Sequence, residues 1–489
     1  MPRNHVALCL TLGLLFAVSL ATAGEEPHGR ATTETAIGWI KRTTWIPGSV
    51  VVSPDNRRVA YINHVGWKVH VIVNGEKGAD YDGFVPGSIT FSPDSRRLAY
   101  IAASRDTGKG FVVVDGTEWE PYDGFANGSL VFSPDSTRVA CVAFSGRKDV
   151  SVEDNVLFGQ EKVTAAGEKY VALIDNEEAT QNYDGIWTLI FSPDSKRVAY
   201  TAGVGEKRCV VVDGEEGTRY ESIREDTLIF SPDGKHVAYA ASVDHDDVVV
   251  VDEQERGRYL QVAEGSLVFS PDGKHFAYTA FSRHGKSFVV LDGKEGKHYD
   301  GMSDWPPAFS PDGNHLAYVA FDAGEWVIVV DGDEVARHAG VLIGPVWSPD
   351  SKRVAYAPKE GNKAFFVLDG EEGKRYDGLS KPVFSPDGKR MAYIAKDGEK
   401  QLVVIDGEEG KQYHKIGSPG PVFSPDGKHV AYSVRHRGKE MAVVDGVEGK
   451  RYDGFVVRGG GKIVFDSPTT FHYIVIDDHK FLLVEERIE

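Results

Sequence analysis

Cysteine, long apolar runs and positive charge are all scarce in this chain. Of 3 cysteines in 489 residues, Cys9 lies in the first apolar stretch, which leaves Cys141 and Cys209 to the rest. A disulfide-built module is therefore excluded. Both positions read as buried free thiols, with a bridge between neighbouring units as the other option. The longest apolar run, from Val6 to Leu20, falls short of the about 20 residues of a membrane span. Arg3 precedes it and Ala21-Thr22-Ala23 follows, the order of a cleaved signal peptide. Residues 1–23 are read as that signal and 24–41 as a leader. The expected location is the periplasm or the outside of the cell, with no membrane insertion after cleavage. Lys and Arg number 55 against 73 Asp and Glu, a net charge of −18. Such a balance repels nucleic acid, which is excluded as a partner. There is no G-x-S-x-G nucleophile elbow. His284-Gly285-Lys286-Ser287 ends like a phosphate loop, but Ala280 stands where the first Gly belongs. No cofactor is expected.

What the chain has in abundance is one phrase. An aromatic or Val, then Ser-Pro-Asp, a short turn, an apolar residue, Ala and usually Tyr recur ten times. The prolines are Pro54, Pro93, Pro134, Pro193, Pro232, Pro271, Pro311, Pro349, Pro386 and Pro425, with gaps of 37 to 41 residues and one of 59. A frayed eleventh copy is Phe465-Asp466-Ser467-Pro468. A period near 40 residues is one structural unit copied many times. Between Leu267 and Tyr299 the unit holds four short apolar runs and two turns, Ser270-Pro271-Asp272-Gly273 and Asp292-Gly293. Pro presets φ, Asp accepts a local amide, and Asp-Gly marks a hairpin. Four short strands without room for a helix make one blade of an all-β propeller.

Phe269-Ser270-Pro271-Asp272-Gly273-Lys274-His275-Phe276-Ala277-Tyr278 resembles the WD-like repeat of the TolB β-propeller family. The resemblance covers nearly all of residues 42–489. It implies a β-propeller, and in function a scaffold in the cell envelope that binds a protein or other macromolecule. The same repeat occurs beside peptidases, and some propellers are lyases. A propeller enzyme acting on a polysaccharide or peptide is therefore the alternative, and a small-ligand or glycan binder a third.

Eleven blades are counted, and two layouts fit. Propellers usually carry four to eight blades, so two tandem rings of five and six are expected, at 42–260 and 261–489. The other layout is a single ring closed on its last blade by Arg42–Trp45.

Ser-Pro-Asp and Asp-Gly turns fall on one face, where the sequence is monotonous. The variable loops fall on the other, and loops that vary on a repeated scaffold are the expected carriers of function. The candidates for ligand or partner contact are Trp187, Trp305, Trp326, Arg283, His284, Arg435, His436, Arg437 and Phe158. Phe158 belongs to an extra excursion, Gly146 to Tyr170, which accounts for the 59-residue gap. Trp67 also falls on this face. Asp244-His245-Asp246-Asp247 has metal-binding residue types, but neighbours on one loop rarely converge on one ion. His236, His275, His315 and His429 share a repeat position that stacked sheets hold too far apart for one ion. No metal site is expected.

Overall fold

Each Ser-Pro-Asp phrase folds because its polar groups satisfy one another. The structure, a computed structural model, describes residues 30–40, 44–46, 48–146, 168–179, 181–224, 226–457 and 460–489. The signal-peptide reading of 1–23 lies outside them. Blades are numbered 1 to 11 along the chain, blade 1 carrying Pro54 and blade 11 Pro468. In blade 6 the Ser270 hydroxyl donates to Asp272 Oδ1 at 2.6 Å and accepts the His275 amide at 2.9 Å. The same carboxylate oxygen accepts the Lys274 amide at 3.2 Å. Gly273 takes a φ of +71°, a conformation that L side chains resist.

The apolar runs then pair as a meander. Val268–Phe269 pairs with Phe276–Phe281, which pairs with Ser287–Leu291, and Lys294–Glu295 closes the hairpin. Tyr299 continues the fourth strand by bridging to Ser287. Asp292 and Gly293 both have positive φ, 50° and 77°, as a type I′ turn requires. Asp292 also joins the two turns of the blade. Its Oδ1 accepts the Phe276 amide at 2.9 Å, and its Oδ2 lies 2.7 Å from His275 Nδ1. This contact is why the two turn signals recur in register. The first strand begins earlier, at Gln261–Val262, and is split by a turn in which Ser266 bonds back to Ala263.

Eleven such sheets form, and eleven core layers lie between them. Each layer sets one face of a blade against the next. Ile62 and Val71 of blade 1 meet Phe84 and Tyr100 of blade 2. Ala238 and Val249 of blade 5 meet Leu267 and Tyr278 of blade 6. Ile474 and Phe481 of blade 11 meet Val52 and Tyr61 of blade 1. A lone blade cannot bury its apolar faces, so stability comes from this stacking.

The ring is single, and here the structure departs from the expected five-plus-six layout. The layer between blades 5 and 6 continues through residue 260, where a boundary was expected. The closing strand also differs. Arg30–Trp39, read as leader, pairs antiparallel with Lys480–Ile488 as the fourth strand of blade 11, with a bulge at Ile37. Trp45, expected in that closure, instead bridges to Asn63 inside blade 1. Residues 30–39 carry no turn phrase, so nothing in the repeat marks them. Their partner strand exists only once the ring has come round.

Candidate functional site

The face with the Ser-Pro-Asp turns is occupied with its own bonds. Arg97 of blade 2 pairs with Asp115 at 2.8 Å in its own second turn. It also donates to the Ser136 and Thr137 carbonyls of blade 3 and covers Phe132 at 5.4 Å. Arg58, Arg138, Arg197 and Arg390 likewise donate to carbonyls of the next blade and cover its first-strand Phe. His236, His275, His315 and His429 take the same place, each 2.6–2.7 Å from the carboxylate of its own blade. The residue after each Asp matters more than its turn conformation implied. Where it is Ser, as at Ser95, Ser136, Ser195 and Ser351, its hydroxyl accepts the Asp amide of the preceding blade at 2.8–2.9 Å. Bonds from Ser133 and from the Thr137 amide and hydroxyl hold the Asp135 carboxyl down at about 2.

The opposite face has a second repeated device, which the sequence reading missed. In six phrases of the form Tyr-Asp-Gly, the Asp joins two blades. Asp184 takes Lys169 of blade 3 on one oxygen and the Gly205 amide of blade 4 on the other. Asp82, Asp123, Asp300, Asp377 and Asp453 repeat the pattern with Lys68, Lys109, Lys286, Lys363 and Lys439. The signal was present in the sequence as Tyr-Asp-Gly at fixed offsets. Its meaning was not, because the lysine belongs to the preceding blade.

Phe158 and the body of the long excursion lie outside the described residues. The excursion leaves at Gly146, bonded to Asp123, and returns at Lys169, paired with Asp184, so both ends are anchored by this device.

The other candidates are dispersed over several blades. Trp187 lies on the first strand of blade 4, and Trp305 lies in the bend that splits the first strand of blade 7. The Trp187 indole covers Gly185 and Gly203, with the Arg208 guanidinium 4.0 Å from its ring, and the residue is 40% exposed. Trp305 is 39% exposed and rests on Gly344 of blade 8, where a Cβ would sit 3.2 Å from the indole. Trp326, partly buried, packs on Phe321 at 5.2 Å. Arg283 of blade 6 pairs with Asp246 of blade 5 at 2.6 Å, and His284 follows it in an exposed turn. Arg435, His436 and Arg437 end the second strand of blade 10 and begin its turn. Trp67, in the corresponding turn of blade 1, is 82% exposed.

The acidic quartet is a hairpin turn. Asp244 and His245 occupy it with positive φ. Asp246 serves Arg258 and Arg283, while Asp247 accepts from Arg224, Ser242 and the Val262 amide. Among the described residues, no group of three or more His, Cys, Asp or Glu is arranged to hold a metal ion. Cys141 and Cys209 are buried free thiols in different layers, between blades 2 and 3 and between blades 3 and 4. Burial pushes the Cys209 thiol up to about 11.

Residues 302–450, which span blades 7 to 10, match the family model described as the TolB beta propeller domain. The chain is a β-propeller, and its blades 7 to 10 are similar to TolB. The Ser-Pro-Asp geometry of the matched blades recurs in blades 1 to 6, so the same unit builds the rest of the ring. No curated protein matches the propeller. Among solved structures it is similar to a eukaryotic initiation factor at 12% identity and a TM-score of 0.39, covering 73% of this chain and 96% of that one. TolB from Acinetobacter baumannii is similar at 14% identity and 0.24, covering 66% and 78%. The β-propeller domain of the Trilobed protease from Pyrococcus furiosus follows at 14% and 0.27, covering 56% and 91%. At these scores none of the three bears on what this propeller does.

Proposed function

We propose that this TolB-like propeller is a periplasmic or secreted scaffold that binds a protein or other macromolecule through the variable-loop face, opposite its Ser-Pro-Asp turns. The observation that carries this reading is Trp305. Its indole is seated on Gly344 of the next blade, yet 39% of the residue stays open to solvent. A large aromatic held rigidly with one side exposed loses little conformational freedom on contact, which is what an anchor residue needs. Trp187, seated on two glycines, repeats the arrangement in blade 4. Among the described residues the Ser-Pro-Asp face offers no exposed tryptophan, and its arginines, histidines and carboxylates serve the ring itself.

The test is affinity capture from envelope extract with the mature chain and a Trp305→Ala variant of unchanged melting temperature. The variant should lose the captured partner, with a penalty of about 2 kcal/mol or more. Equal retention by both would refute Trp305 as the anchor. No partner under any condition would refute the scaffold reading.

A further inference from the structure

Among the junctions without the lysine–aspartate device, one puts basic residues where the others have Glu221, Leu260 or Ala339. Between blades 9 and 10 the phrase is Tyr413-His414-Lys415, where six other junctions have Tyr-Asp-Gly. Lys400 starts the third strand of blade 9, the place held elsewhere by the paired lysines. With His414 in place of the carboxylate, Lys400 makes no ion pair among the described residues. Lys415 also stands opposite Arg435 across the first two strands of blade 10. Directly opposed like charges in a sheet are destabilising, and the one carboxylate in this cross-strand row is Glu440, opposite Arg435 on its other side.

Four exposed cations therefore gather here, Lys400, Lys415, Arg435 and Arg437, with the His414 and His436 rings 5.9 Å apart beside them. Partial burial, then Arg437 and Arg451, hold the His436 imidazole below its ordinary value, as a positive surround would. Two carboxylates face these cations across strand pairs, Asp397 opposite Lys400 and Glu440 opposite Arg435, so the cations outnumber them by two. Glu440 accepts the Phe455 amide at 2.7 Å, and Glu448 takes Lys411 and the Tyr413 hydroxyl. Asp397 lies 4.0 Å from Lys363, and Glu399 sits in the exposed turn of blade 9.

We infer that the junction of blades 9 and 10 binds an acidic peptide segment. The cations stand on two blades, on strands and on a turn tip, so they match carboxylates spaced along a chain rather than one compact anion. Arginines at 435 and 437 suit bidentate carboxylate contacts. The net charge of −18 favours a short segment, because a long polyanion would run on over repelling surface. The site deepens the reading of this face as a partner surface and rests on it.

The probe is fluorescein-labelled octaglutamate, followed by anisotropy at about 50 mM salt, where surface charge is weakly screened. The full mature chain should bind it, and Lys415→Glu/Arg435→Glu should weaken binding at least about tenfold. His414→Asp restores the carboxylate of the other junctions and should weaken binding severalfold without harming the fold. It keeps the test valid if the charge reversal does not fold. Lys352→Glu, on the Ser-Pro-Asp face, should change nothing. Absent binding, equal binding by the His414→Asp variant, or an equal loss in Lys352→Glu would overturn the site. Tighter binding of an oligogalacturonate of matched charge would overturn the peptide class. A captured partner indifferent to Lys415→Glu/Arg435→Glu would sink this site and leave the scaffold reading. Octaglutamate binding with no partner captured would do the reverse.

Discussion

Ring closure depends on a buried ion pair that removal of one side chain should expose. Arg30, 3% exposed, places Nη1 3.2 Å from Glu486 Oε2 and donates from Nη2 to the Val447 carbonyl of blade 10 at 3.1 Å. Glu486, 2% exposed, also accepts the Tyr473 hydroxyl. Burial raises the Glu486 carboxyl above its ordinary value, and Arg30 opposes that rise. Arg30→Met keeps the stem of the side chain but leaves the carboxylate without its cation. Breaking a buried pair in this way costs about 3–5 kcal/mol, toward the lower end if Glu486 relieves itself by taking a proton. Unfolding about 430 described residues at about 2.1 cal/mol/K each gives an entropy near 0.9 kcal/mol/K. The melting temperature should then fall by about 3–6 °C. Arg30→Met/Glu486→Leu should recover most of the loss, since an apolar pair of similar volume often equals a buried ion pair. Calorimetry at neutral pH reads both effects, and native-state proteolysis should find residues 30–39 cleaved sooner in the single variant. A single variant within about 1 °C of wild type, or a double variant as unstable as the single, would refute the argument.

Acid should unfold the ring through its Ser-Pro-Asp turns. Asp135 and Asp312 are held at about 2, below an ordinary 3.8, chiefly by the Ser133 and Ser310 hydroxyls. A depressed carboxyl stabilises the fold above its unfolded value and loses that contribution as pH falls through its folded value. The melting temperature should thus be level above about pH 4 and drop steeply toward about pH 2. A flat profile across that window would contradict the turn geometry. Cys141 and Cys209 are both fully buried, and burial raises both thiols. In a chain lacking residues 1–23, and so Cys9, Ellman's reagent should find no thiol in the native state and both after denaturation, whereas rapid native labelling of either would put that layer in doubt.

The repeat was legible because its information is local. Ser270, Asp272 and Gly273 satisfy one another within a few residues, and Asp292 meets His275 in the same blade. Blade identity, strand number and the face on which each turn lies could therefore be read from spacing alone. The His residues after the turns could likewise be assigned to turns. Trp305 and Trp187 stood out in the sequence as large aromatics, but their seating on glycines could not. Gly344 is on another blade, and Gly203 lies across the sheet from Trp187.

What the sequence alone determined, then, is the unit and its count, since turn chemistry and strand alternation act over fewer than about ten residues. The tertiary structure decided the rest. It made one ring of eleven blades, turned a leader into the closing strand, and gave Arg30 a partner at Glu486, at the far end of the chain. It also set Lys400 opposite a junction whose aspartate is His414. These pairings depend on distances between blades, and those distances arise only when stacked sheets bury their faces and the circle closes.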